Sequence, residues 1–436
     1  MKICFFTNTF LPHVGGVARS VETFLECFRK KRHRVLVVAP EFSEGPAPRR
    51  IERAVERVPA IQNFNGSDFS VRLPLGAALS KRLDEFPADI LHTHHPFLLG
   101  DTALRVAASR ALPVVFTHHT LYEQYTHYMP FDSERMQEFV IELATRFANR
   151  CNGVIAPSES VAKLIASRGV TSPIRVVPTG IDTAAIGAAK RQAWRNKLRL
   201  AEADVVIGHV GRLAEEKNLG LLAESVVRAL KRRSNTHFVV VGTGPARGAM
   251  ETCFETAGVH ERVHFLGTQK GRKLHEAYAA MDIFVFTSSS ETQGLVVAEA
   301  MAARLPVVAI DASGVREVVK DKENGRLLPA DASSESIARA LVRLIDDAGL
   351  RRAWSAGAER TAADFDRMVT ADRALAFYQE IVAEHRRSQH TAGGDNDWDA
   401  FLERLAIEGG LVADKFGAMA RALMGTAEDG PVIRAG

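Results

Sequence analysis

The chain of 436 residues contains no apolar run approaching the roughly 18 residues that would span a bilayer. Its four cysteines, Cys4, Cys27, Cys151 and Cys253, are scattered without CxxC spacing. A structural zinc site is thereby disfavoured, and reduced, mostly buried thiols in a cytoplasmic protein are expected. An excess of one charge is also missing: the formal net charge is only +4. That permits an anionic ligand or membrane surface but lacks the dense basic footprint of a nucleic-acid binder, so no nucleic-acid partner is expected. The GxGxxG fingerprint is absent, which argues against a dinucleotide-dependent hydride transferase, and so is HExxH. The opening MKICFFTNTF carries one basic residue and an apolar run broken by Thr7 and Asn8, unlike a secretory signal.

What the chain does have is an ordinary globular composition, 46% hydrophobic and 25% charged, over a length that suits two domains. Apolar, β-prone runs occur at Ile3 to Thr7, Val35 to Pro40, Asp89 to His92, Pro113 to Thr117 and Gly153 to Ala156, separated by helical stretches such as Thr102 to Ala111. The pattern breaks at VPTGID, Val177 to Asp182, and restarts with strands at Val205 to Val210, Phe238 to Gly242, Val263 to Leu266, Ile283 to Phe286 and Val307 to Ala309. Continuously apolar strands alternating with helices predict parallel, doubly wound sheets. The fold class is therefore α/β, with two Rossmann-like domains, 1–185 and 200–385, facing each other across a cleft. Ser334 to His385 reads as helical, Arg386 to Asp397 as a linker, and residues 386–436 together as linker and amphipathic tail. The tail suits a helix packed on the body or one docked on a membrane or partner.

Several features could carry chemistry. Gly15 and Gly16 follow the first strand, where a bare backbone and helix amides can approach a phosphate, or simply make a tight turn. Arg212 and Lys217, in GRLAEEKNL, follow the second domain's first strand and could neutralise a diphosphate; the alternative is a solvated loop. In SSSETQGLVVAEAMA, Glu291 lies on a loop and Glu299 in the following helix. Carboxylates there can accept hydrogen bonds from sugar or ribose hydroxyls, while the backbone amides of Gln293, Gly294 and Leu295 offer donors. Helix N-terminal acidity explains the same glutamates. The histidine-rich segments LHTHHPFLLGD and FTHHTLYEQYTHYM place His119 just past a strand, where it would line a polar crevice, and no metal site is expected. Tyr122, Tyr125 and Tyr128 recur every three residues, either as core or as the lining of an acceptor channel. The run RKKRHR, Arg29 to Arg34, could meet anionic headgroups or be a solvated helix end.

The order GGV, THHT, VPTGID, GRLAEEKN and ETQGLVVAE resembles the retaining glycosyltransferases of the GT-B fold in family four, over residues 1–385. That resemblance implies a nucleotide-sugar donor, retention of anomeric configuration and no metal or other cofactor. It assigns Gly16 to the donor diphosphate, Arg212 and Lys217 to its phosphates, Glu291 to the transferred sugar, Glu299 to the ribose, and His119 to the sugar near its reacting carbon. HTLYEQYTHY and SSSETQGLVV are more similar to bacterial diacylglycerol glucosyltransferases, which implies UDP-glucose and a lipid acceptor at an anionic membrane surface on the cytoplasmic side. The alternatives are transfer to a polysaccharide or lipopolysaccharide precursor from another nucleotide sugar such as GDP-mannose, and a nucleotide-sugar-binding regulatory protein without turnover. No spacing reports an oligomeric state.

Overall fold

The computed structural model describes residues 1–13, 15–41, 49–61, 71–72, 77–122, 134–289 and 291–391. The chain divides into two units: Met1–Pro157, Val161–Val177 and Ala371 onward form the first, and Ser158–Ser160 with Pro178–Thr370 form the second. Residues 371–385, read from sequence as part of the second domain, thus belong with the first unit. The 386–436 tail lies outside the described residues beyond 391.

The first unit runs β1 (Lys2–Phe6), α1 (Gly16–Lys30), β2 (Arg34–Pro40), α2 (Arg49–Glu52) and β3 (Val55–Val58). After a two-stranded antiparallel ribbon, β4 (Ala60–Ile61) and β5 (Val71–Arg72), come α3 (Ala77–Glu85), β6 (Ile90–Thr93), α4 (Leu99–Arg110) and β7 (Val114–Thr117). Then follow α5 (Glu134–Asn149), β8 (Gly153–Ala156), α6 (Glu159–Ser167) and β9 (Ile174–Val176). Seven parallel strands stand in the order β3-β2-β1-β6-β7-β8-β9. Successive side chains of a strand face opposite sides of the sheet. Cys4 and Phe6 enter one apolar cluster with Leu36, Leu91 and Phe116, while Ile3 and Phe5 are equally buried on the other side. This explains the unbroken apolar run: helices cover both faces, and each large side chain so buried contributes about 1.5–3 kcal/mol. In α1 the spacing of Val21, Phe24, Leu25 and Phe28 makes one buried stripe, and Arg29 and Lys30 in its last turn complement the helix dipole.

In the second unit, α7 (Thr183–Gly187) and α8 (Gln192–Lys197) lead to β10 (Val205–Val210), α9 (Leu219–Arg232), β11 (Thr236–Val241), α10 (Arg247–Thr256) and β12 (Val263–Phe265). The chain continues through α11 (Gly271–Ala280), β13 (Ile283–Phe286), α12 (Leu295–Ala302), β14 (Val307–Ile310) and β15 (Gly325–Leu328). Six parallel strands take the order β12-β11-β10-β13-β14-β15. Val206, Val239, Phe284 and Phe286 pack on one face, and Ile207, Val240 and Val285 on the other. The stretch read as helical from Ser334 is three helices, α13 (Ser334–Asp346), α14 (Ala348–Ala363) and α15 (Arg367–Thr391). The first break is chemical: Asp347 leaves the helical conformation and its carboxylate accepts the Leu350 N–H, capping α14. From Ala371, α15 counts with the first unit, where the Tyr378 hydroxyl and His92 Nδ1 meet at 2.6 Å.

Among the described residues, which include all four cysteines, no disulfide forms and no helix is long and apolar enough to cross a membrane.

Candidate active site

In an open parallel sheet the strand order reverses at one point, and the loops leaving the strands there diverge to leave a crevice at their carboxyl ends. In the second unit that point lies between β10 and β13. The loop after β10 carries Arg212 and the short 3-10 turn Glu215–Lys217, while the loop after β13 carries Glu291. Lys217 Nζ donates to Glu291 Oε1 at 2.5 Å, and both side chains are largely buried, with 19% and 18% exposure. The Thr287 hydroxyl, at the end of β13, faces the Lys217 and Asn218 carbonyls at 3.2 Å each, binding the two loops together. Arg212 is more exposed and meets Glu216. Ser288 Oγ, buried in the same loop, finds no hydrogen-bond partner among the described residues. This corner can therefore offer a cation, a carboxylate and an unsatisfied hydroxyl to one polar ligand.

The backbone after Glu291 is shaped by close approach. Gly294 adopts φ 69° before α12, and Gly314 adopts φ 74°, where an added Cβ would lie 2.5 Å from the Gln293 nitrogen. Two loops meet here without room for side chains, which brings the turn into α12 to its place. Gly294 O accepts from Val297 and Ala298, so the amides of Gly294 and Leu295 precede the helical ladder. The Gln293 side chain serves a different purpose from its backbone. Its Oε1 accepts from Thr179 N and its Nε2 donates to Thr179 O, both at 2.8 Å, clamping VPTGID to this loop. Glu299 is buried, at 1% exposure, and accepts from the Tyr278 hydroxyl at 2.9 Å.

His209, on β10, is a feature that the sequence reading did not single out. Its ring lies beside both Phe284 and Phe286, roughly parallel to each, and Nδ1 faces Val285 O at 3.2 Å. Nε2 has no partner among the described residues. Burial, opposed by the Val285 carbonyl and aided by Lys217, pushes its pKa down to about 4.

In the first unit the strand order reverses between β1 and β6. Asn8, just past β1, spans that point: its N–H donates to His95 Nδ1, its Nδ2 to Phe97 O, and its Oδ1 accepts from Leu99 N, each at 3.1 Å. Gly15 and Gly16 start α1 in the same loop, and an added Cβ on Gly16 would meet no atom within 4 Å. No described neighbour demands a glycine there. Past β6, His94 Nδ1 lies 2.8 Å from His119 Nε2 with the rings stacked. The pKa of His119 is held well below the usual imidazole range, first by burial and then by the neighbouring His95, His92 and His118. Tyr122 packs edge-on to Phe97 and His118 and lines a cavity of about 10 Å³ with Val140, Ala144 and Ile165, on the core side of the two options. Tyr125 and Tyr128 lie outside the described residues. In the basic run, Lys31 pairs with Asp372 at 2.7 Å and Arg29 donates to Arg50 O, while Lys30 and Arg32 are exposed. Among the described residues no group of three or more His, Cys, Asp or Glu is disposed around a common metal position.

Two family models match the chain in tandem: Glycosyltransferase Family 4 over residues 14–185 and Glycosyl transferases group 1 over residues 190–361. The chain is 30% identical to alpha-monoglucosyldiacylglycerol synthase of Streptococcus pneumoniae, over 75% of each chain. It belongs to the family 4 glycosyltransferases. This glycosyltransferase is also 29% identical to a GDP-mannose-dependent alpha-mannosyltransferase of Mycobacterium tuberculosis, over 87% of its own length and 97% of the relative's. Its fold is that of an Anabaena protein crystallised with UDP, with a TM-score of 0.69 and 23% identity over 87% of this chain and 100% of that one. The two α/β units are thus those of a GT-B glycosyltransferase.

Proposed function

We propose that this glycosyltransferase moves glucose from UDP-glucose to the hydroxyl of a membrane lipid such as diacylglycerol, retaining the anomeric configuration and using no metal ion. The observation that carries the donor half is the Lys217–Glu291 pair at the reversal point of the second sheet. It sets a cation for a diphosphate beside a carboxylate for sugar hydroxyls. The acceptor half is supported by the likeness to the alpha-monoglucosyldiacylglycerol synthases of Streptococcus pneumoniae and Acholeplasma laidlawii. Exposed Lys30 and Arg32 suit attachment to an anionic surface on the cytoplasmic side.

In this reading Arg212, Lys217 and the Gly15–Gly16 loop stabilise the departing diphosphate, doing electrostatically what a divalent cation does elsewhere. The amides of Gln293, Gly294 and Leu295 add donors, and Glu299 takes the ribose. The acceptor oxygen bonds to the anomeric carbon on the leaving-group face as the carbon–phosphate-oxygen bond breaks. The acceptor proton passes to the departing phosphate oxygen. Glu291 and His119 orient the hexose, and the Glu291 carboxylate stabilises its developing positive charge without a glycosyl-enzyme. Tyr125 and Tyr128 are assigned to the acceptor side, while Tyr122 serves the core.

The test is nucleoside diphosphate release from UDP-, GDP- and ADP-sugars, with and without diacylglycerol in anionic vesicles, in EDTA, with the anomer of the product read by NMR. Turnover confined to UDP-glucose with lipid is expected. A second reading, mannose transfer from GDP-mannose, is favoured by the likeness to the mycobacterial mannosyltransferase. It predicts GDP release instead.

A further inference from the structure

The proposed function uses His119 as a sugar contact but leaves open whether its ring donates or accepts that hydrogen bond. His94 bears on that choice. It is fully buried, immediately past β6, and its backbone N–H donates to Phe6 O, extending the β1–β6 ladder. Its ring is wedged edge-on to Phe5 at 5.2 Å, tilted over His92 at 4.1 Å and stacked on His119 at 5.1 Å. The side chain has little freedom to turn away from His119.

The 2.8 Å contact between His94 Nδ1 and His119 Nε2 requires one nitrogen to donate and the other to accept. If His119 donated, His94 would carry its own hydrogen on Nε2, a buried atom with no partner among the described residues. A buried N–H without an acceptor is a rare and costly arrangement, and a bare ring lone pair is the lesser loss. The economical state therefore has His94 Nδ1–H donating to His119 Nε2. His119 then carries its hydrogen on Nδ1, with Nε2 engaged. Protonating either ring would put a charge into this packed cluster, and burial together with the adjacent imidazoles disfavours that.

We infer that His94 is a positioning residue that fixes His119 as its Nδ1–H tautomer, so that His119 meets the donor sugar as a neutral hydrogen-bond donor and not as a base. The inference rests on the proposed role of His119. It agrees with a mechanism in which the acceptor proton leaves on phosphate.

The tautomer is read directly by ring nitrogen NMR on histidine-labelled full-length protein, with His119 assigned through His119→Gln. The expected pattern is Nδ1–H on His119 at neutral pH; Nε2–H would overturn the inference outright. Kinetics supply the second arm. An asparagine amide can stand where imidazole Nδ1 stood, so His94→Asn retains most of kcat, whereas His94→Leu loses about a hundredfold, the scale of a misplaced group. The donor KM changes little in both. Equal losses in the two variants, with native melting curves, would mean that His94 only fills space. If His119→Ala transfers at the wild-type rate, the sugar-contact role fails while the NMR result on the tautomer stands.

Discussion

Lys217 and Glu291 neutralise each other at 2.5 Å across the point where the second sheet reverses its strand order. Each is the charge that the other would leave behind on substitution. Lys217→Ala and Glu291→Ala should each lower transfer on the order of a hundredfold to a thousandfold, as loss of one stabilising group at developing charge does. Each should also lose about 1–3 kcal/mol of stability, because a largely buried charge remains without its partner. Lys217→Met with Glu291→Leu removes both charges and should recover most of that stability but none of the activity. Urea midpoints and diphosphate release distinguish the cases. A double variant no more stable than the singles would contradict the pairing.

Gly16 separates a demand of the fold from a demand of the ligand. An added methyl meets nothing within 4 Å, and the residue is the first of α1. Gly16→Ala should therefore leave stability unchanged or raise it by up to about 1 kcal/mol, since alanine loses less backbone freedom on folding. If the bare backbone exists to admit the donor diphosphate, the same variant should raise the donor KM about tenfold. An unaltered KM would remove Gly16 from the donor site.

The strands that sequence shows best are those buried on both faces. Gly153–Ala156, Val205–Val210 and Ile283–Phe286 begin and end with their apolar runs. Edge strands are harder to see: β9 is only Ile174–Val176 with Arg175 exposed, and β15 opens on Gly325 and Arg326. Lys217 and Glu291 can be picked out by residue type and place, but their contact joins positions 74 apart and needs the strand order. Thr287, Asn8 and His209 carry no motif at all. Each becomes informative only when a neighbouring strand supplies the carbonyl, amide or ring that it meets. The return of α15 to the first unit depends on Phe377 and Tyr378, which in sequence are two more apolar positions of a helix.

The Gln293 clamp gives a stability prediction with a built-in control. Gln293→Leu removes both bonds to Thr179 and should cost about 1–3 kcal/mol by leaving backbone groups less well satisfied. Gln293→Glu keeps an acceptor for Thr179 N but turns a carboxylate oxygen towards Thr179 O, and should be destabilised similarly. Gln293→Asn, too short to span both contacts, should fall between them and the wild type. Chemical denaturation measures all three, and a Gln293→Leu protein of native stability would show that VPTGID is held by other contacts.

Acid should unfold this protein early, for a reason that lies in its buried imidazoles. Burial pushes the pKa of His92 and His95 down to about 3 and of His209 to about 4, and holds His94 and His119 well below the usual range. In the fold these rings stay neutral at pH 6, whereas in the unfolded chain they take up protons as pH falls through about 6.5. The unfolded state then binds more protons than the native state, so stability decreases with falling pH. The loss approaches about 1.4 kcal/mol per pH unit for each such histidine, and it continues until the pH nears the folded pKa values. Above about pH 7.5 the same groups are almost entirely neutral in both states and contribute little slope. Urea midpoints should therefore be level from pH 7.5 to 8.5 and drop steeply between pH 6.5 and 5.5. His209→Phe keeps an aromatic ring beside Phe284 and Phe286 but removes one titrating group, and should flatten that drop by one proton's share. A midpoint independent of pH down to 5.5 would mean that these imidazoles gain protons in the native state as readily as in the unfolded chain.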